Sequence, residues 1–352
     1  MRFIGNKEKL LDKIYKAVTS TSVDHGTFCD FFSGTSNVGR HFKEKGFQII
    51  SSDLLYFSYV LQRAYISNNE EPSFKKLLKT LSVNSSALFS SPFDLVRTYL
   101  NNIDGITGFI YKNYTEEGTA KDSSIRKYFI PENGMKIDAV RTKIEEWYKS
   151  KLITENEYYV LLAALIESVP FYANISGVYA AFLKNYDPRA LKPLEIKPIN
   201  FYKSKHEHKV YNGNSMNLVD TLDVDILYLD PPYNERQYAP NYHLLETIAK
   251  YDSPQIKGVT GMRNYSEQKS DFCNKVTALV ALEKIARDAK YRYLILSYNS
   301  EGVMLEKDIL SVLKKYGKVK LENIDYLRFK SNSNGDSKHK KVIQEQLYIL
   351  SR

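Results

Sequence analysis

Cysteine is nearly absent from this chain: Cys29 and Cys273 are the only two among 352 residues. Two distant thiols cannot form the framework of a disulfide-stapled protein, and neither has metal-ligand spacing around it, so a reducing compartment is expected. Histidine does not supply a metal site in their place. The close pair, His206 and His208 around Glu207, falls in a Lys-rich stretch that reads as a solvated loop. Long apolar runs are missing as well. The most apolar long stretch, residues 158–183, is interrupted by Glu167, Pro170, Asn174 and Gly177, which excludes a conventional membrane-spanning helix. The opening Met1-Arg2-Phe3-Ile4-Gly5-Asn6-Lys7 is charged from its second residue and has no apolar core of signal-peptide length, so a soluble, cytoplasmic protein is expected.

What is present in excess is positive charge and aromatic surface. Fifty Lys and Arg against 41 Asp and Glu give a formal net charge of +9, and 28 Tyr accompany 17 Phe. Together they favour a polyanionic partner with stackable rings.

The pattern of apolar segments is that of an α/β protein. A helix is expected over 7–18, then a buried strand over 27–32, a turn at Ser33-Gly34-Thr35-Ser36, and a helix carrying Val38 and Phe42 that stops at Lys45-Gly46. A second strand, 47–52, ends at Asp53 and completes a βαβ unit. A similar cluster comes late, with strand 224–229, a helix around 271–289 and strand 291–297. Residues 318–329 and 342–350 read as an antiparallel hairpin joined by the polar loop 330–341. Between the clusters the text turns helical, Tyr-rich and Lys-rich, with polar connectors at 113–122 and 131–135 and a helix over 136–149 that buries the single Trp147. The expected division is a catalytic domain of residues 1–67 and 209–352 with an inserted region, 68–208.

Two places carry chemistry. The turn Phe32-Ser33-Gly34 opens a helix, so its backbone N–H groups and positive helix end suit an anionic or carboxylate-bearing ligand. Asp53 lies 19 residues after Gly34 at a strand end, the usual position of a carboxylate that holds ribose hydroxyls. The turn lacks the glycines of a dinucleotide fingerprint and the Gly-Lys-Ser/Thr of a P-loop, so a ligand without phosphates is preferred, and S-adenosylmethionine meets that requirement. The second place is Asp230-Pro231-Pro232-Tyr233, directly after the apolar run 225–229. Strand C-termini in open α/β sheets are where ligands bind, and here they would find a charged acceptor, stiffened carbonyls and a stacking face.

Phe3-x-Gly5-Asn6-Lys7, Asp30-Phe31-Phe32-Ser33-Gly34, Asp53 and Asp230-Pro231-Pro232-Tyr233 stand in the order used by the D12 class of DNA adenine-N6 methyltransferases. The chain resembles that family throughout, including type II restriction–modification members around Ala173-Asn174-Ile175-Ser176-Gly177, 189–194 and 234–246. The resemblance implies a Rossmann-like S-adenosylmethionine-dependent methyltransferase sheet with a C-terminal antiparallel hairpin and a mainly helical inserted target-recognition domain. It implies that Phe3, Gly5, Asn6 and Lys7 meet the methionine end of the cofactor, that Asp30, Phe32, Ser33 and Gly34 line its pocket, and that Asp53 and Leu54 sit at the ribose. Asn214 and Ser215 would stand where the family often has an acid that reads the cofactor adenine. Asp230, Pro231, Pro232 and Tyr233 would hold an adenine extruded from duplex DNA, with no metal required.

Candidate DNA contacts are Lys112, Lys121, Arg126 and Lys127 in the insertion, Tyr238 after the tetrapeptide, and Lys338 and Lys340 in the hairpin loop. Tyr238 and Tyr242 fall in what reads as a loop. Double-stranded DNA is the expected partner, a separately acting restriction endonuclease the companion that the family suggests, and a monomer the expected state. Two alternatives stay open: an RNA adenine-N6 methyltransferase, and a catalytically silent nucleic-acid-binding protein on the same scaffold.

Overall fold

The computed structural model describes residues 4–81, 90–327 and 342–352. Phe3, Lys338 and Lys340 lie outside the described residues. Two compact units are present. One comprises Gly5–Gln62, Ser204–Ala239 and Ser266–Arg352, and the other Arg63–Lys203 and Pro240–Tyr265 with Ile4.

The strands, in chain order, are β1 (Thr27–Asp30), β2 (Gln48–Asp53), β3 (Lys209–Asn212), β4 (Asp223–Leu229), β5 (Ile256–Lys257), β6 (Met262–Arg263), β7 (Lys290–Asn299), β8 (Lys318–Leu327) and β9 (Val342–Ser351). Seven of them form the sheet of the first unit in the order β3-β2-β1-β4-β7-β9-β8. Pairing is parallel from β3 to β7, and β9 runs antiparallel to both β7 and β8. The mostly parallel sheet and the C-terminal antiparallel pair are as the sequence reading expects. β4 reads as a nearly unbroken apolar run because Val224, Ile226, Leu227, Tyr228 and Leu229 are all buried, as a central parallel strand covered on both faces requires. Leu227, Leu229, Leu294 and Leu296 belong to one core cluster with Leu282 and Ile285 of the helix Lys275–Asp288. Elsewhere Phe28 stacks on Phe42 of the helix Asn37–Glu44 with ring centroids 3.9 Å apart.

β2 lies on one side of β1 and β4 on the other, so the strand order reverses between β1 and β4. In open α/β sheets ligands bind outside the C-terminal strand ends at such a reversal, because the connections leave there in opposite directions.

The second unit is helical. Its helices are Lys75–Thr80, Pro92–Asn102, Phe109–Tyr114, Pro131–Lys149, Glu155–Ser168 and most of Tyr238–Lys250, and β5 and β6 form a two-stranded ribbon. Glu155–Ser168 is buried on nearly every side, which explains why its sequence shows an apolar block rather than a stripe. Thr154 and Glu157 close a reciprocal capping box at its start, and Glu157 also accepts the Phe74 N–H at 2.6 Å.

Several local expectations need correction. Residues 131–135 are the opening turn of the 19-residue helix Pro131–Lys149, since Pro131 occupies the first helical position, where its missing N–H costs nothing. Tyr238 and Tyr242 lie in the helix Tyr238–Lys250, with non-helical angles at Tyr242, and not in a loop. His208 is buried rather than solvated: its Nδ1 accepts the Ile49 N–H at 2.9 Å, and burial pushes its pKa down to about 4. Trp147 is buried as expected.

Asp138 ties the second unit together. Its carboxylate accepts the N–H groups of Ile110 and Tyr111, at 2.9 and 2.8 Å, at the start of Phe109–Tyr114, and the Tyr251 hydroxyl at 2.6 Å. Asp138→Ala therefore strands three donors and is expected to lower the free energy of unfolding by about 3 kcal/mol. The check is a urea titration, in which the midpoint falls while the slope stays unchanged.

Candidate active site

β1, β2 and β4 each deliver an aspartate at the same end of the sheet: Asp30 and Asp53 as last strand residues, and Asp230 directly after Leu229. Three carboxylates on adjacent strands repel one another, so each needs its own means of stabilisation.

Asp30 is 1% exposed, and its Oδ2 accepts the Gly39 N–H at 3.0 Å. Ser36, at the N-cap of Asn37–Glu44, makes no side-chain cap bond, so Asp30 satisfies that helix start from the strand beneath it. Burial pushes its carboxyl up to about 7; the Gly39 N–H opposes the shift, and the charges of Asp230 and Asp53 add to it.

Asp53 is half-buried and holds the Gly34 N–H at 2.7 Å with one oxygen and the Leu55 N–H at 2.8 Å with the other. It thereby fixes the turn after β1, where Gly34 takes the left-handed backbone, φ 51°, that favours glycine. Ser52 donates at 2.9 Å to the Phe31 carbonyl and Ser215 does the same, with their hydroxyls 2.8 Å apart. Ser33 is buried, its N–H on the Ser52 carbonyl at 3.0 Å. Leu54 is half-buried, and Phe32 meets Phe272 edge to face at 5.1 Å. Asn214 caps the short helix Ser215–Thr221 through the Met216 N–H, and Asn6 accepts from the Asn37 amide at 2.6 Å.

Asp230 answers to Lys7. The Lys7 ammonium, 5% exposed, lies 3.2 Å from Asp230 Oδ1 and 2.5 Å from Glu345 Oε1. Burial works against the charge on Lys7, but the two carboxylates outweigh it and hold its pKa above the ordinary lysine range. For Asp230, burial leads and raises the carboxyl to about 7; Lys7 opposes the shift and Glu345 reinforces it. Pro231 is buried, and the Tyr233 carbonyl accepts the Val303 N–H at 2.9 Å. Gly5 runs close to Tyr233 and Tyr238: a Cβ there would sit 3.7 Å from the Tyr233 ring and 3.2 Å from the Tyr238 hydroxyl.

The first unit thus contains every described residue assigned to cofactor or target adenine, along with Tyr238. Sequence reasoning missed Glu345 and Ser297, whose hydroxyl donates to Glu345 at 2.6 Å. The signal was present, an acid inside the otherwise strand-like run 342–350. Lys112, Lys121, Arg126 and Lys127, assigned to DNA, belong to the other unit and are not equivalent. Lys112 and Lys121 are exposed, whereas Lys127 pairs with Glu116 at 2.7 Å. Arg126 is a correction: it is buried, and its guanidinium donates to the carbonyls of Val259, Gly258 and Asn113 and pairs with Asp122. Two of its nitrogens donate into the turn between β5 and β6 and the third donates to Asn113 and Asp122, so it fastens that turn to the helix Phe109–Tyr114 and the loop after it.

A mostly parallel sheet, an antiparallel C-terminal pair and an Asp-Pro-Pro-Tyr at the strand-order reversal are consistent with a methyltransferase fold. The chain belongs to the D12 class N6 adenine-specific DNA methyltransferase family, whose model matches residues 3–312. It is 40% identical to the type II methyltransferase M.NlaIII of Neisseria lactamica, over 100% of this chain and 99% of that protein. Identity is 40% to the type II methyltransferase M.FokI of Planomicrobium okeanokoites, over 98% of this chain and 51% of that one. It is 38% to the modification methylase StsI of Streptococcus sanguinis, over 99% of this chain and 52% of that one. The chain therefore spans about half the length of the latter two relatives. No solved structure matches it. Among the described residues no group of His, Cys, Asp and Glu could hold a metal ion, and no helix is long and apolar enough to cross a membrane.

Because the folded state raises the Asp30 carboxyl from 3.8 to about 7, its proton favours folding. That contribution is complete below about pH 4 and is lost as pH rises through about 7. Asp30→Asn, which keeps a neutral acceptor for Gly39, is expected to be more stable than the unsubstituted protein at pH 8.5 by roughly 1–3 kcal/mol and to show little difference at pH 4. Denaturant titrations at the two pH values read the crossover.

Proposed function

We propose that the protein transfers a methyl group from S-adenosylmethionine to N6 of an adenine extruded from duplex DNA, at a specific sequence and in a restriction–modification setting. The observation that carries the reading is the position of Asp230, next to the strand-order reversal, paired with buried Lys7 and adjoining the Asp30–Gly34 turn and Asp53. Membership of the adenine-specific family supports it, as does the full-length similarity to M.NlaIII, named a type II methyltransferase.

The strand-end residues fit a phosphate-free adenosine ligand. Asp53 is a half-exposed carboxylate beside a glycine turn with no phosphate-binding glycine series, and the helix behind that turn begins without a side-chain cap from Ser36. Asp53 and Leu54 would meet the ribose, Phe32 and Ser33 the pocket wall, Asn214 and Ser215 the adenine end, and Gly5, Asn6 and Lys7 the methionine end. When bound, the cofactor supplies an electrophilic methyl group on a sulfonium. Asp230, whose ionised form Lys7 favours, accepts one N6–H of the target base and the Pro231 carbonyl accepts the other, which fixes the amine and frees its lone pair. Tyr233 stacks on the extruded ring and offsets part of the few kcal/mol that unstacking and unpairing cost. After transfer N6 sheds its extra proton readily, so Asp230 acts by orientation and charge and need not be a strong base beforehand.

Residues 68–208 are assigned the role of target recognition, with exposed Lys112 and Lys121 on phosphates. The protein acts as a monomer inside the cell, and a cognate endonuclease would act separately on the same sequence.

Asp230→Ala is expected to abolish transfer of labelled methyl groups to duplex DNA while cofactor and DNA binding persist; retained turnover would sink the assignment. Supplying structured RNA in place of duplex DNA separates the nucleic acids, and no label is expected in RNA. For the insertion, Lys112→Glu with Lys121→Glu should weaken DNA binding about equally on all sequences. The slope of log affinity against log salt should fall by about one for each of the two lysines that meets a phosphate.

A further inference from the structure

Glu345 is 4% exposed in β9, and the same Oε1 receives the Lys7 ammonium at 2.5 Å and the Ser297 hydroxyl at 2.6 Å. Lys7 is thus shared between two carboxylates, and its distance to Asp230 is the longer, 3.2 Å. With all three groups ionised the trio carries one excess negative charge, held within the fold where charge is costly to desolvate. An amide would fill the same space without that charge. We propose that Glu345 is a positioning residue for methyl transfer: by holding Lys7 between two carboxylates, it decides how much of that single positive charge reaches Asp230. The inference rests on the proposed function of this site.

The groups that face Asp230 support the assignment. Lys7 comes from the N-terminal segment, Glu345 from β9, Asp30 from β1, and Tyr228 precedes it in β4. Of these, Lys7 favours the ionised carboxylate, while Glu345 disfavours it both by its own charge and by its claim on Lys7. Ser297 in β7 tempers that claim, because its hydroxyl stabilises the Glu345 oxygen that Lys7 also contacts. Glu345 touches neither the base nor the methyl donor in this scheme; it acts through Lys7.

The test is the pH profile of kcat on duplex DNA for the unsubstituted protein, Glu345→Gln, Glu345→Asp and Ser297→Ala. In Glu345→Gln the ammonium turns wholly to Asp230, and the acid limb is expected to move down by about one pH unit with little change in KM for DNA. Glu345→Asp keeps the charge and should leave the limb near its original place. Ser297→Ala leaves Glu345 leaning on Lys7 alone, and the limb should move the opposite way, up, by a smaller amount. An unmoved limb in Glu345→Gln, or a shift of the same sign in both neutral variants, overturns the proposal. Should Glu345→Gln fail to fold, Ser297→Ala decides alone: an upward shift supports the proposal, and no shift overturns it.

A melting-temperature profile without DNA or cofactor separates this inference from the function it rests on. The raised carboxyls of Asp230 and Asp30 both make stability fall as pH rises through about 7, and only Asp230 shares Lys7 with Glu345. That fall should be smaller in Glu345→Gln, where Asp230 ionises lower, whether or not methyl transfer is detected. An equal fall in both proteins overturns the inference, whereas an unsubstituted enzyme that leaves duplex DNA unmethylated overturns only the proposed function.

Discussion

One buried ammonium governs the strand-end chemistry of this protein. Asp30, Asp53 and Asp230 crowd the same end of the sheet, and Lys7 is the cation that meets Asp230. The other two are stabilised differently, Asp30 by the start of a helix and Asp53 by two backbone N–H groups. This division explains how a carboxylate cluster persists in a largely buried place. Hydrogen bonds from backbone hold Asp30 and Asp53, and the charge of a buried side chain is reserved for Asp230.

The sheet order makes this arrangement available. β1 and β4 are parallel neighbours on either side of the reversal, so the residues that follow them come out side by side at the same end of the sheet. The phenylalanine-rich turn after β1 and the proline-stiffened turn after β4 then differ in what they offer. The first is backbone-rich and bound to Asp53, while the second presents an acid and an aromatic ring.

Legibility in the sequence followed burial. β4 and β7 could be read because central strands need continuous apolar runs, and the turn acids could be read because they follow those runs directly. β3 was missed: it is a four-residue edge strand, Lys209–Asn212, largely exposed, so no apolar period marks it. The start of Pro131–Lys149 was misread because proline and glycine signal turns in most settings, and only the helix that follows shows Pro131 to be a first-turn residue. Arg126 looked like a phosphate ligand by charge and aromatic neighbours; its partners, Gly258 and Val259, are too distant in sequence to be guessed. The same holds for Glu345 and Lys7, which lie 338 positions apart.

That distance also bears on the order of assembly. β9 follows every other described element in the chain, yet it lies between β7 and β8 and pairs with both. A chain emerging from the ribosome must therefore keep the edge of β7 open, with Lys7 and Asp230 already made and their second carboxylate still untranslated. The trio of Lys7, Asp230 and Glu345 exists only once β9 has joined the sheet. Asp230 therefore gains its second charged neighbour only when β9 has inserted between β7 and β8, which makes its electrostatic surroundings a property of the closed sheet and not of any local segment.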